Sequence, residues 1–261
     1  MSAELKNILV AIADPQEQKQ PHLQKAAQLA RRTGARLVLF HATFDPSAFQ
    51  FGVASESFPK AMARVLKERR DWMQGLARSV VPRSVRTSVR VEWDYPPPEA
   101  IVREALRSRA ELVIAQAGGH SLAARLLLLN NDWQLVEKCP VPLLLVKSAR
   151  LYSARARILA AVDPFHVHDK PARLDRRILG QAQVLARALR GTLDVMHAYL
   201  PLGAQASVSA VEPAGMAIPA ELEERHLKSI QRKFSRLAAA SGIASSRRHL
   251  VSDYPAQGIG R

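Results

Sequence analysis

An α/β fold with a doubly wound parallel sheet, built twice along the chain, is the fold class that this sequence predicts. Two observations carry the prediction: predicted strands alternate with predicted helices, and the chain repeats itself. The composition agrees, because 48% hydrophobic and 23% charged residues are typical of a globular protein. The uninterrupted apolar runs, such as 126–129 and 143–146, are far shorter than the ~18 residues of a membrane span. We therefore expect no membrane segment.

The internal repeat consists of three matching segments in the same order. The pairs are ILVAIADP at 8–15 with ILAAVDP at 158–164, LARRTGARLVLFHA at 29–42 with LARALRGTLDVMHA at 185–198, and Asp-Tyr-Pro at 94–96 with Asp-Tyr-Pro at 253–255. Their offsets are 150, 156 and 159 residues. A nearly constant offset indicates two copies of one unit.

The first copy begins with a strand over 7–13, because a continuous apolar run is typical of a strand buried on both faces of a parallel sheet. Apolar residues then recur at helical spacing. They are Leu23, Ala26, Ala27 and Ala30. Gly34 follows where this helix is expected to end, and 36–43 forms the second strand.

A longer helix is predicted from 57 to 81, with its apolar residues along one stripe and Pro82 at its end. The remaining predicted elements of this copy are a strand at 85–93, a helix at 98–108, a strand at 111–116, a helix at 131–138 and a strand at 142–147. This alternation implies right-handed crossovers. We expect the strand order 3-2-1-4-5.

The second copy is shorter than the first. Its predicted elements are a strand at 157–163, a helix carrying Leu174, Ile178, Ala182, Leu185 and Leu189, a strand at 192–199, a helix at 219–241 and a strand at 249–252. In the first copy 52 residues run from Asp94 to Val146, but only eight follow Asp253. We therefore expect a complete domain over 1–148 and a second domain over 149–261 that is truncated after its third strand.

The formal net charge of +15 invites a polyanion partner. Residues 1–150 hold 22 basic and 14 acidic residues, and the rest of the chain holds 16 and 9, so the excess is spread evenly. We interpret it as a solvated basic surface, on which nucleic acid binds without sequence specificity. A basic nucleic-acid-associated protein stays open as an alternative. The opening residues, Met1 to Glu4, show no leader, which favours a cytoplasmic location.

Ligands of doubly wound sheets bind at the carboxyl ends of the strands. The polar candidates there are Asp14, His41, Gly118, Gly119 and His120 in the first copy, and Asp163, His166, His168 and His197 in the second. Asp14 and Asp163 each precede a proline and could accept a hydrogen bond from an adenine amino group or a ribose hydroxyl. They could equally form an Asx turn or a helix cap.

The two strand-end histidines, His41 and His197, are interpreted as hydrogen-bonded structural residues, since neither has a carboxylate or cysteine neighbour in sequence. His166 and His168 lack an evident third metal ligand, so no metal is expected. The chain contains neither a Walker A motif, nor a Rossmann glycine fingerprint between strand and helix, nor a G-x-S-x-G nucleophile elbow. We therefore expect no enzyme.

Four segments resemble the universal stress protein family, and its tandem E type most closely. They are the first strands that end in Ala-Asp or Val-Asp, LARRTGARLVLFHA at 29–42, LVIAQAGGHSLAARLLLLNNDW at 112–133 and EKCPVPLLLVK at 137–147. The resemblance implies tandem Rossmann-like domains and a role in survival under stress, including DNA damage. It also implies homo-oligomers or paired domains that meet through their fifth strands.

ATP-binding members of that family carry G-2x-G-9x-G-[ST] after the fourth strand. Gln116, Gly119, Leu129 and Asn130 occupy those four positions here, and only Gly119 matches. Side chains at glycine positions obstruct the close approach of phosphate to backbone N–H groups. We therefore expect no bound cofactor. The alternative is an adenine-nucleotide (ATP or AMP) module with a degenerate phosphate loop. Its site residues would be Asp14, His41, Gly119, Asn130 and Asp163.

Overall fold

The computed structural model describes residues 5–13, 17, 19–45, 58–117, 134–165, 173–204 and 218–260. The described residues up to 153 form one compact unit, and those from 154 onward form a second. Each unit has its own sheet, and all strand pairs in both sheets are parallel.

The first unit is a five-stranded sheet covered by helices. Its strands are β1 (Asn7–Ala11), β2 (Arg36–Thr43), β3 (Thr87–Trp93), β4 (Leu112–Gln116) and β5 (Leu143–Val146). Its helices are α1 (Pro21–Thr33), α2 (Phe58–Val80) and α3 (Pro97–Arg107), and residues 134–138 are also helical. The strand order β3-β2-β1-β4-β5 confirms the predicted order.

The central strand β1 explains why its sequence is a continuous apolar run. It pairs with β2 on one side and with β4 on the other, so Leu9 lies between Val38 and Val113. The side chains of Ile8, Leu9 and Val10 are completely buried. A strand with two neighbours and helices on both faces has no solvent side, and polar alternation is therefore absent.

The first helix ends where the sequence predicts. Gly34 adopts the left-handed conformation, with φ 76°, and its N–H donates to the carbonyl of Ala30. Glycine suits this position because it lacks the Cβ atom that penalises positive φ. Pro21 occupies the first turn, where a missing N–H costs no helical hydrogen bond.

The second unit has a three-stranded sheet in the order β6-β7-β8, a partial version of the first sheet. Its elements are β6 (Arg157–Ala161), α4 (Leu174–Ala188), β7 (Thr192–Tyr199), α5 (Ala220–Ala240), a 3-10 turn at Ser245–Arg247, β8 (Arg248–Ser252) and α6 (Pro255–Gly260). The helix α6 is absent from the sequence-based prediction, which ended this unit at its third strand. Leu179, Val195 and Phe234 lie at the centre of its core.

Equivalent strands of the two units differ sharply in burial. Leu9 of β1 and Leu159 of β6 occupy matching positions of the repeat, yet Leu9 is 0% exposed and Leu159 is 45% exposed. Among the described strands β6 pairs only with β7, whereas β1 has two partners. The edge of β6 is therefore open in the described part of the second unit.

Candidate functional site

The carboxyl edge of the first sheet carries a small pocket. It lies where β1, β2 and β4 end and α3 begins. This is the switch point of the sheet, because β2 and β3 lie on one side of β1 and β4 and β5 lie on the other. Its volume is about 210 Å³, and its lining includes Ile12, Phe40, Pro98, Ile101, Gln116 and Leu135. Of these six, Gln116 is the one polar side chain, so the pocket offers apolar contact with a single amide at one wall.

The Gln116 amide is held on both sides. Its Nε2 donates to Oε1 of Glu17 at 3.0 Å, and its Oε1 lies 2.9 Å from Nδ1 of His22. A carboxylate only accepts hydrogen bonds, so the NH₂ group must face Glu17 and the carbonyl oxygen must face His22. Nδ1 of His22 is then the donor, and Nε2 carries the lone pair.

His22 is itself a buried group, with 1% of its side chain exposed. Its Nε2 has no hydrogen-bond partner among the described residues. Burial lowers the pKa of His22 below its ordinary value of 6.5, against the smaller opposing effects of Gln116, Glu17 and the backbone of Ala11. The imidazole is therefore a neutral group that fixes Gln116, and Gln116 fills a position where the ATP-binding motif has glycine.

The strand-end histidines bridge neighbouring strands. Nδ1 of His41 lies 2.9 Å from the carbonyl oxygen of Ile12, and Nδ1 of His197 lies 3.0 Å from that of Val162. Both side chains are buried. In each unit the histidine satisfies the carbonyl that follows the first strand, as expected of a structural residue.

Asp163 of the second unit takes part in local contacts. Its Oδ1 accepts a hydrogen bond from the N–H of Phe165 at 3.1 Å, which is the geometry of an Asx turn. The same oxygen lies 3.9 Å from Nδ1 of His197, and the Phe165 ring stacks on the His197 ring at 6.0 Å. Nζ of Lys233 lies above the Phe165 ring, 4.1 Å from its centroid.

Several sequence-predicted site residues lie outside the described part of the chain. They are Asp14, Gly118, Gly119, His120, Leu129, Asn130, His166 and His168. His41 and Asp163 are described, but they belong to different units. Within the described residues no group of three or more His, Cys, Asp or Glu side chains could hold a metal ion.

Sequence reasoning missed His22 and Glu17, the two residues that fix the Gln116 amide. The available signal was the spacing of His22 with Ala26 and Leu29, which places it on the buried stripe of α1. The one cysteine of the chain, Cys139, is half-buried, and burial raises the pKa of its thiol. A raised pKa disfavours the reactive thiolate.

The family model of the universal stress protein family matches residues 4–147. The chain belongs to the universal stress protein family. Its curated relatives are E-type members, as the resemblance implies. Universal stress protein E of Photorhabdus laumondii is 26% identical over 185 residues, covering 70% of this chain and 58% of that protein. Universal stress protein E of Escherichia coli K12 is 29% identical over 165 residues, covering 61% and 52%.

A universal stress protein E homolog of Haemophilus influenzae is 23% identical and covers 97% of this chain and 82% of its own length. The chain spans only about half the length of the first two relatives. Two solved structures share the tandem universal stress fold. One is a functionally unknown protein of Pseudomonas aeruginosa, with TM-score 0.62, 21% identity and coverage of 98% and 76%. The other is a universal stress protein of Archaeoglobus fulgidus, with TM-score 0.59, 14% identity and coverage of 96% and 79%.

Membership of the universal stress protein family supports a stress-response role. In the described part of the chain, none of the helices combines the length and the hydropathy that crossing a membrane requires.

Proposed function

We propose that this chain is a non-enzymatic, cytoplasmic stress-response protein that works by binding. The observation that supports this is the state of the polar groups at the carboxyl edge, because the described ones serve the fold. His41 bonds a backbone carbonyl, and Gln116 is bonded to His22 and Glu17. A general acid or base needs a free position that reaches a substrate proton, and the unpartnered nitrogen in this group, Nε2 of His22, is buried.

The test of this proposal is a turnover assay. Purified full-length chain is incubated with Mg-ATP, and released phosphate is followed over time. We expect no release above the rate without protein. Saturable release that scales with protein concentration, and that a Gln116→Gly variant alters, would show that the chain is an enzyme.

The finer proposal is a role in survival under stress, including DNA damage. Its support is the family and the E-type relatives that the chain matches. A strain that lacks the gene is compared with the parent after ultraviolet irradiation and after starvation. We expect fewer survivors, restored by a plasmid copy of the gene. Equal survival of both strains in both conditions would contradict the proposal.

Adenine-nucleotide binding is the second candidate, and the apolar pocket beside Gln116 favours it. We propose that ATP binds this edge more weakly than millimolar, since the fixed amide stands where a glycine would let phosphate approach the backbone. Isothermal titration with Mg-ATP at cytoplasmic ionic strength measures this. A micromolar dissociation constant would contradict this proposal, and substitution of Asp14, Gly119 and Asn130 would then show whether ATP binds at this edge.

We propose further that the chain forms homo-oligomers through strand edges. The fifth strand, β5, is an edge of the first sheet, because its described neighbour is β4 alone. Edge strands present unpaired N–H and C=O groups that pair readily with another strand.

A further inference from the structure

The amino edge of the first sheet, at the opposite end from Gln116, carries an open cleft of about 800 Å³. Five cationic side chains line it, each exposed and each from the end of a different element or from a connection between elements. They are Lys6, Arg36, Arg86, Arg107 and Arg109. We propose that this cleft is an anion site that binds a short chain of phosphate groups through these guanidinium and ammonium groups.

Helix ends account for only part of this charge. The helices α1 and α3 end at this edge, and cations near helix C-termini offset the partial negative charge of free carbonyls. Arg107 pairs with Glu92 and Glu104, and Nε of Arg36 donates to Oδ1 of Asn7 at 2.7 Å. These two residues are therefore already engaged by groups of the protein.

Two cations of the cleft remain available. The side chains of Arg86 and Arg109 make no hydrogen bond or ion pair within the described ranges of the chain, although both line the cleft. The nearby acid Glu111 is turned to the backbone, where its Oε2 accepts from the N–H groups of Lys6 and Asn7. Among the described residues that line the cleft none is acidic, so the guanidinium groups of Arg86 and Arg109 have no carboxylate partner within that set.

Arg109 occupies a position at which the fold itself favours glycine. Its φ is 51°, and the N–H groups of Arg109 and Ala110 donate to the carbonyls of Leu106 and Ala105 at 3.1 and 2.8 Å. This is a Schellman cap, whose left-handed residue is usually glycine because a Cβ atom is penalised there. An arginine is less favourable than glycine in this cap, and it places a guanidinium group in the cleft.

The cleft fits a phosphate chain better than a nucleic acid. Its volume is in the range of small-molecule pockets. The lining residues that the structure describes include no aromatic ring, whereas proteins that bind single strands stack bases on aromatic side chains. Guanidinium groups bind phosphate oxygens in paired, charge-assisted hydrogen bonds. The described residues of the cleft therefore provide contacts for phosphate groups and no stacking contact for a nucleotide base.

Arg190 supplies a matched control for the experiment. It occupies the equivalent cap of α4 in the second unit, with φ 49° and the same pair of backbone hydrogen bonds, to Arg187 and Ala186. Replacing Arg109 or Arg190 by glycine removes one positive charge and relieves one left-handed arginine. Both variants should be as stable as the unchanged chain or more so, so that a loss of binding cannot come from unfolding.

The test is calorimetric titration of inorganic tripolyphosphate into the full chain and into the Arg109→Gly and Arg190→Gly variants at low ionic strength. We expect Arg109→Gly to lose roughly tenfold in affinity, as for removal of a charge-assisted hydrogen bond, and Arg190→Gly to match the unchanged chain. Equal losses in both variants, or no binding by the unchanged chain, would overturn the site. A single-stranded oligonucleotide that binds more tightly than tripolyphosphate, with the same dependence on Arg109, would overturn the ligand class.

Discussion

Acid should destabilise the first unit through His22. Burial lowers the pKa of this imidazole below 6.5, so above pH ~6.5 it is neutral in both the folded and the unfolded chain. As the pH falls below that value, His22 is protonated in the unfolded chain but stays neutral in the folded chain. Stability is therefore complete above the unfolded pKa and is lost as the pH falls toward the folded one, with a slope of at most about 1.4 kcal/mol per pH unit.

The structure offers a variant that removes the titration and keeps a donor. In His22→Asn the side-chain NH₂ group can still face Oε1 of Gln116, which now lies 2.9 Å from Nδ1. We expect this variant to be less stable at neutral pH, because asparagine is smaller than the fully buried imidazole. Its stability should nevertheless fall less steeply with acid than that of the unchanged chain.

Tryptophan fluorescence during urea unfolding isolates the first unit, because Trp72, Trp93 and Trp133 all lie before residue 154. Free energies of unfolding are compared between pH 7.5 and pH 5.5. His249→Asn, on β8 of the second unit, is the control: it removes a histidine outside the unit that the tryptophans report, so the measured difference between the two pH values should match that of the unchanged chain. Identical slopes in the His22→Asn variant and the unchanged chain would refute the reasoning.

Four further outcomes are expected. Gly191→Ala should destabilise the second unit by about 2–4 kcal/mol, since its Cβ would lie 2.1 Å from the carbonyl oxygen of Ala156; thermal unfolding measures this. Gly180→Ala, with open space at its Cβ within α4, should instead stabilise by up to ~1 kcal/mol. The chain should self-associate through open strand edges, and Leu159→Lys should reduce the associated fraction in sedimentation. Limited proteolysis should leave residues 1–150; equal resistance of both units would contradict the last two expectations.

The sheet was predictable because its signals are local and repeated. The apolar run before Asp14 indicates a strand buried on both faces, and the second copy of the same segment shows where the next unit begins. Gly34 marks a helix end for a reason that holds in any protein. The open edge of β6 follows from counting strands, and the 45% exposure of Leu159 agrees with it.

The site was less predictable because its contacts join residues far apart in sequence. Gln116 and His22 are 94 positions apart, and nothing in the spacing of either residue indicates the other. The cleft is a similar case, since Arg36, Arg86 and Arg109 resemble the other scattered cations until the sheet brings its amino ends together. Cations that are spread evenly along the sequence are therefore brought together at one cleft of the folded first unit.

The central claim is that this chain works by binding and that the carboxyl edge of its first sheet is not a triphosphate site. One set of titrations tests this claim most directly. Mg-ATP and tripolyphosphate are titrated into the unchanged chain and into Arg109→Gly at low ionic strength. We predict that the unchanged chain binds Mg-ATP no more tightly than tripolyphosphate, and that Arg109→Gly weakens the binding of both, because the cleft binds phosphate charge and adenine adds no affinity. A micromolar dissociation constant for Mg-ATP that persists in Arg109→Gly, without comparable tripolyphosphate binding, would contradict the claim and place ATP beside Gln116.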